Sequence, residues 1–261
     1  MLYVWAIALG AVQGLTEFLP ISSTGHLIIV EKIFGLSHEN FGLAFDASVH
    51  LGTLFAIIVF FYKDYISLLN FKNPLLFKLI IGTLPAIIFG LIFENVIEGA
   101  IRQLWIVAVA LLLFSIVMIF AEKHAKQNRK KESIKFLDAL IIGIFQALAL
   151  IPGISRSAST ISAGLLLNLT KEESARFAFI LSGPIVAGAG IKKFLEVASQ
   201  APLGVYDLKF FLVGIITSSV FGYLTIKYFI RYLATKTLYP FVVYRIFLGI
   251  ALLLYVFFTW Q

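Results

Sequence analysis

Two apolar stretches, 5–35 and 136–169, are each interrupted near the middle by proline and a cluster of small polar residues. These are Pro20-Ile-Ser-Ser-Thr-Gly25 in the first and Pro152-Gly-Ile-Ser-Arg-Ser157 in the second. A helix cannot simply continue through such a point, because proline lacks the N–H and its ring meets the preceding turn. Each half has about 12–16 residues, and at about 1.5 Å per residue that length reaches only partway across a bilayer. Both stretches are therefore expected to be re-entrant helix-loop-helix hairpins. Irregular backbone at that depth is tolerated only where protein or water surrounds it.

Six other segments are apolar and of spanning length: 43–62, 75–93, 103–121, 174–191, 210–226 and 238–260. The chain is 60% apolar and 13% charged, against about 25% charged in soluble domains. The expected fold is an all-α integral membrane protein of six transmembrane helices plus the two hairpins. With no cysteine, a disulfide frame, a thiol nucleophile and a cysteine metal site are excluded. The N-terminus lacks a basic region and carries Glu17 within its apolar run, so a cleaved signal peptide is not expected.

The two broken stretches resemble each other. Gly10 and Gln13 precede Pro20, and Gly143 and Gln146 precede Pro152. One offset pairs Pro20 with Pro152, Ser23 with Ser155, and Gly82, Phe89 and Gly90 with Gly214, Phe221 and Gly222. The expectation is a single membrane domain made of two repeats, 1–122 and 135–261. Each would be a hairpin plus three spans, and an odd number of spans places the second copy upside down. Inverted repeats form sites near the midplane, between broken helices.

Thirteen Lys and Arg fall on one side of this topology, six of them between 123 and 135, and five (Lys32, Arg102, Lys192, Lys193 and Lys209) on the other. The positive-inside rule makes the first side cytoplasmic and puts both termini outside. The net charge of +7 is read as topology; no nucleic-acid partner is expected.

Charge inside a membrane helix is costly and points to function. Glu17 and Arg156 both sit at hairpin breaks, which the repeat would bring together. Gln13 lies one helical turn before Glu17 and faces the same way. Ser22, Ser23 and Thr24 open the next helix, where hydroxyls cap well and free N–H groups favour an anion. Ser155 and Ser157 repeat this arrangement around Arg156, whose guanidinium binds phosphate in a fork. Together these residues suit a phosphate site. A carboxylate there makes sense if it holds a divalent cation or takes a proton. Ser23 is either a cap or a nucleophile. His26, one turn later, is either its proton carrier or a structural hydrogen-bonder. His50 reads as structural, Asp46, near the outer end of a span, as structural or on the rim, and Glu31, Glu39, Glu94 and Glu98 as solvated loop charges.

The run Gln13-Gly-Leu-Thr-Glu17-Phe-Leu-Pro-Ile-Ser-Ser-Thr-Gly-His26 resembles the (Glu/Gln)-x-x-x-Glu region of the undecaprenyl-diphosphate phosphatase family, the bacitracin-resistance proteins. Pro152-Gly-Ile-Ser-Arg-Ser-Ala-Ser-Thr160 resembles that family's Pro-Gly-x-Ser-Arg-Ser signature. The likeness spans the chain, including Phe45-Asp-Ala-Ser-Val-His-Leu-Gly52. It implies hydrolysis of undecaprenyl diphosphate to the monophosphate and phosphate, recycling the lipid carrier for cell-wall synthesis and giving bacitracin resistance. It also implies Mg²⁺ or Ca²⁺, a location in the bacterial cytoplasmic membrane, and a site open to the outer face. The implied site residues are Gln13, Glu17, Ser23, His26, Ser155, Arg156 and Thr160, with Glu17 and Gln13 toward the metal. Gln13 stands where many members have Glu, and Ala158 where Gly is common. The expected partners are the polyprenyl diphosphate and the bilayer, with a homodimer left open. Because inverted repeats with midplane sites are also a transporter plan, a polyprenyl-phosphate transporter or flippase is the rival reading.

Overall fold

The computed structural model describes residues 2–36, 43–200 and 208–259, and among these the chain folds as eleven α-helices joined by turns. Helix α1 (Leu2–Phe18) stops just short of Pro20, and α2 (Ser23–Ile33) restarts behind it. Helix α7 (Phe136–Leu148) stops short of Pro152, and α8 (Arg156–Leu166) restarts. Their lengths are 17, 11, 13 and 11 residues. Thus α1 runs slightly longer than expected and both second halves slightly shorter.

Each restart is set by one serine. Ser22 (φ 74°) caps α2 by accepting from the Gly25 N–H at 3.3 Å, and Ser155 (φ 76°) caps α8 by accepting from the Ala158 N–H at 3.3 Å. Both serines occupy the left-handed region that non-glycine residues seldom adopt. This revises the pairing expected from the sequence, where Ser23 matched Ser155. Gly153 adds one residue between proline and cap in the second break, so Ser22 is the counterpart of Ser155 and Ser23 falls opposite Arg156.

Between and after the hairpins lie α3 (Leu43–Phe60), α4 (Tyr62–Ser67), α5 (Pro74–Ile92), α6 (Leu104–His124), α9 (Lys171–Gln200), α10 (Leu208–Leu233) and α11 (Tyr239–Thr259). Among the described residues, five helices are long and apolar enough to cross a membrane: α5, α6, α9, α10 and α11. The sixth expected span corresponds to α3, an apolar helix of 18 residues that ends at Phe60, where a turn precedes α4. Large apolar side chains face outward throughout, among them Leu91, Leu113, Ile216 and Phe247. A surface of this kind requires lipid, and the chain is a multi-pass membrane protein.

Two glycine crossings hold the hairpins. Helix α1 lies on α10, where a Cβ on Gly10 would come within 2.8 Å of the Gly214 carbonyl oxygen; α7 lies on α5, where one on Gly143 would come within 2.3 Å of the Gly82 carbonyl oxygen. Small residues let membrane helices approach this closely. An apolar core, with Phe18 set edge-on to Phe179 at 5.2 Å, packs beside the first break.

Candidate active site

Glu17 is the hub. It sits in the last turn of α1, is 6% exposed, and accepts a hydrogen bond from Gln13 Nε2 one turn earlier at 2.9 Å. The chain reversal at Pro20 then returns Ser23 to it. Ser23 Oγ donates to Glu17 Oε2 at 2.5 Å. The second break supplies Arg156, whose Nη2 forms an ion pair with Glu17 Oε1. Helix α3 supplies His50, with Nε2 3.7 Å from Glu17 Oε2. Acid, hydroxyl and guanidinium thus meet on one carboxylate, and each donor uses a different element.

These groups face a chamber of about 290 Å³ lined by both breaks, including Glu17, Ser22, Ser23, Thr24, Ser155 and Arg156. The other expected residues lie elsewhere. Gln13 is fully buried behind Glu17, and its Oε1 has no hydrogen-bond partner. Ser157 Oγ donates to the Leu19 carbonyl at 2.8 Å, and Thr160 Oγ1 to the Arg156 carbonyl at 2.7 Å. Both border a small void behind Arg156 rather than the chamber.

The expected contact between His26 and Ser23 is not formed. His26 Nδ1 lies 2.7 Å from the Ser22 carbonyl and Nε2 2.6 Å from the Tyr244 hydroxyl, with the two rings stacked. A carbonyl can only accept, so Nδ1 carries the proton and, in the neutral ring, Nε2 accepts from Tyr244. The ring is held between its own helix turn and α11, and its nitrogens are already used.

Three features escaped the sequence reading. His50, read as structural, lines the chamber beside Glu17. Asp46 and Arg102 form an ion pair at 2.7 Å on the same wall. Most telling is Arg245 of α11, which is fully buried and donates to Pro20 O (3.2 Å), Gly153 O (3.0 Å), Leu111 O (3.3 Å) and Ser115 Oγ (3.3 Å). It ties the two breaks to α6. The cost of a charge inside a span was the signal available for it. Glu31, expected in solvent, is instead buried in α2. Glu94 pairs with Lys192. Glu39 and the side chain of Glu98 lie outside the described residues.

Among the described residues no three acidic or imidazole side chains gather to hold a metal. The oxygen donors around the hub include the Glu17 and Asp46 carboxylates and the Ser23 hydroxyl on the chamber, with the orphaned Gln13 Oε1 buried behind Glu17. Such a set fits an oxygen-seeking cation that takes most of its ligands from phosphate and water, as Mg²⁺ does. It does not form a complete protein cage.

The sequence model of the family described as "Bacitracin resistance protein BacA" matches residues 6–251. An undecaprenyl-diphosphatase of Rubrobacter xylanophilus is 41% identical over 254 residues, covering 92% of this chain and 93% of that one. An undecaprenyl-diphosphatase of Thermodesulfovibrio yellowstonii is 42% identical, covering 97% of both chains, and undecaprenyl-diphosphatase 1 of Pseudoalteromonas translucida is 38% identical, covering 95% of this chain. The match runs through both breaks and every helix that lines the chamber, and the chain belongs to the bacitracin resistance protein BacA family.

Proposed function

We propose that this protein is an undecaprenyl-diphosphate phosphatase, a membrane hydrolase that converts undecaprenyl diphosphate to undecaprenyl phosphate and inorganic phosphate. It thereby recycles the lipid carrier of cell-wall synthesis and confers bacitracin resistance. One observation carries the reading to the residues: Ser23 Oγ donates to Glu17 while Arg156 pairs with the same carboxylate, all on one chamber wall. A nucleophile, its base and a cation for phosphate are thus within one another's reach. A binding or transport site needs the cation but not the serine–carboxylate pair.

Phosphoryl transfer depends mainly on positioning and charge stabilisation. Arg156 has five N–H donors and uses few of them on Glu17, so the guanidinium can also engage the terminal phosphate. Ser23 Oγ attacks the terminal phosphorus and its proton passes to Glu17 Oε2. The bond from that phosphorus to the bridging oxygen breaks, and undecaprenyl phosphate leaves with that oxygen. Water then attacks the phosphoserine, giving phosphate and restoring Ser23. In the competing route Glu17 activates water directly and Ser23 only binds. Brief incubation with substrate labelled in its terminal phosphate separates the two. Absence of label on serine with turnover intact rejects the covalent route.

A divalent cation, Mg²⁺ or Ca²⁺, would be held by Glu17, which the buried Gln13 orients from behind, and when bound it would offset the negative charge of the diphosphate. The finer topology belongs to the same proposal: six crossings and two re-entrant hairpins in inverted repeats 1–122 and 135–261, with termini and site toward the outer face. The matched crossings Gly10–Gly214 and Gly143–Gly82 support the repeat. Because the chain has no cysteine, Lys126→Cys gives a unique thiol. Labelling of intact cells by an impermeant maleimide rejects the orientation.

The deciding assay is phosphate release from undecaprenyl diphosphate by purified protein and by Arg156→Ala. Release by the parent, abolished in the variant at similar folded yield, is the expected result. No release with added Mg²⁺ or Ca²⁺ favours a transporter.

A further inference from the structure

A second cavity, of about 410 Å³, opens on the lipid-facing side of α6 and is walled entirely by hydrophobic residues. Trp105, Val109, Leu113 and Val117 recur every fourth residue and make one stripe down the helix. At about 1.5 Å per residue this stripe is roughly 18 Å long. Ile151 and Ile154 of the second break form the other wall. Ile151 also lines the polar chamber, so a single side chain divides the phosphate site from the apolar groove.

We propose that this groove seats the first isoprene units of the substrate's polyprenyl tail. The inference rests on the phosphatase reading and assigns it a tail subsite. An amphiphile whose diphosphate sits against Arg156 must pass its chain out of a chamber lined by charges and hydroxyls. The groove begins where that chamber ends, at Ile151. Branched and aromatic walls suit a methyl-branched chain, and a groove open to lipid on its flank lets a long chain slide in sideways. Each methylene removed from water or from looser packing contributes little, so discrimination arises over several units. Leu113 is 61% exposed and Trp105 46%, which leaves the outer wall free to receive the tail.

The test compares phosphate release from undecaprenyl diphosphate, with eleven isoprene units, and isopentenyl diphosphate, whose single unit is too short to run down the groove, by the parent and by Val109→Trp and Leu113→Trp. Ile216→Trp, on the lipid-facing side of α10 and 61% exposed in the parent, is the control. The groove variants should lower kcat/KM for the long substrate at least about tenfold relative to the short one, a change equal to about 1.4 kcal/mol. The control should leave the ratio unchanged. Equal loss on both substrates, or no loss, overturns the groove. Release from neither substrate by the parent overturns the phosphatase reading instead. A polyprenyl diphosphate carrying a diazirine on an isoprene unit near the diphosphate supplies an independent readout. Crosslinks should map to α6 and 150–154, and crosslinks confined to α3 or α10 reject the proposal whatever the kinetics.

Discussion

Ser22 and Gly153 lie 131 positions apart, and the Gly153 N–H donates to Ser22 Oγ at 3.2 Å. The same oxygen caps α2 through the Gly25 N–H at 3.3 Å. The serine that restarts the first half-helix therefore also fastens the second break to it. Ser157 Oγ ties the breaks from the other side by donating to the Leu19 carbonyl. The two breaks are a single hydrogen-bonded unit, and the chamber chemistry depends on their register.

Ser22→Ala should expose the cost of this arrangement. It leaves two N–H donors without their acceptor and keeps a β-carbon at φ 74°. Loss of a serine cap costs about 0.5–2 kcal/mol, and the stranded Gly153 N–H adds to it. Ser22→Gly loses the same bonds but relieves the backbone. Thermal unfolding in detergent should therefore rank the parent above Ser22→Gly, and Ser22→Gly above Ser22→Ala. Equal midpoints for all three would show that the oxygen fastens nothing.

Glu17→Gln keeps the shape of the hub and removes its charge. General-base catalysis by a positioned side chain is worth about 10²–10⁴ in rate, so phosphate release should fall within that range. Arg156 loses its ion pair but still faces the chamber, and substrate binding should weaken less than turnover. The Mg²⁺ or Ca²⁺ dependence should also flatten or shift to higher concentration. An unchanged metal response in this variant would remove Glu17 from any cation site.

His26→Ala and Tyr244→Phe break the same contact, the 2.6 Å bond between the imidazole and the phenol. They should therefore act alike, each lowering kcat/KM by less than about tenfold, in keeping with a neutral hydrogen bond worth about 0.5–1.5 kcal/mol. His50→Gln, beside Glu17, should cost more than either. If His26→Ala abolished turnover while Tyr244→Phe left it intact, the imidazole would have to reach the reacting atoms in another rotamer.

The breaks were legible in the sequence because proline followed by clustered hydroxyls ends a helix even inside an apolar run. The meeting of Glu17 with Arg156 was legible for a related reason, since two costly intramembrane charges need each other. The direction of His26 was not. Ser23 and His26 are one turn apart, but spacing along a helix cannot reveal that Tyr244, 218 residues away, claims the ring. The alignment of the two caps was missed because Pro152 is followed by one more residue before its cap than Pro20 is, and only the φ values of Ser22 and Ser155 disclose the register. Glu31 looked like a loop charge because it sits near the end of the expected half-helix, and so short an apolar pattern does not show which face is covered.

Arg245 is the sharpest of these omissions and yields the most severe prediction. Its guanidinium satisfies carbonyls from Pro20, Gly153 and Leu111 together with the Ser115 hydroxyl, all out of solvent. Arg245→Leu would strand those acceptors at about 1–3 kcal/mol each, and would leave the breaks joined by the Ser22 and Ser157 bonds and the Glu17–Arg156 ion pair. The variant should be recovered in low yield and unfold well below the parent. Arg245→Lys keeps the charge but not the fork that reaches both breaks at once. It should fold better than the leucine variant and still lose turnover, because Glu17 and Arg156 would no longer be held in register. Parent-like activity in Arg245→Lys would mean that the charge alone suffices and that bridging the two carbonyls has no part in aligning the chamber.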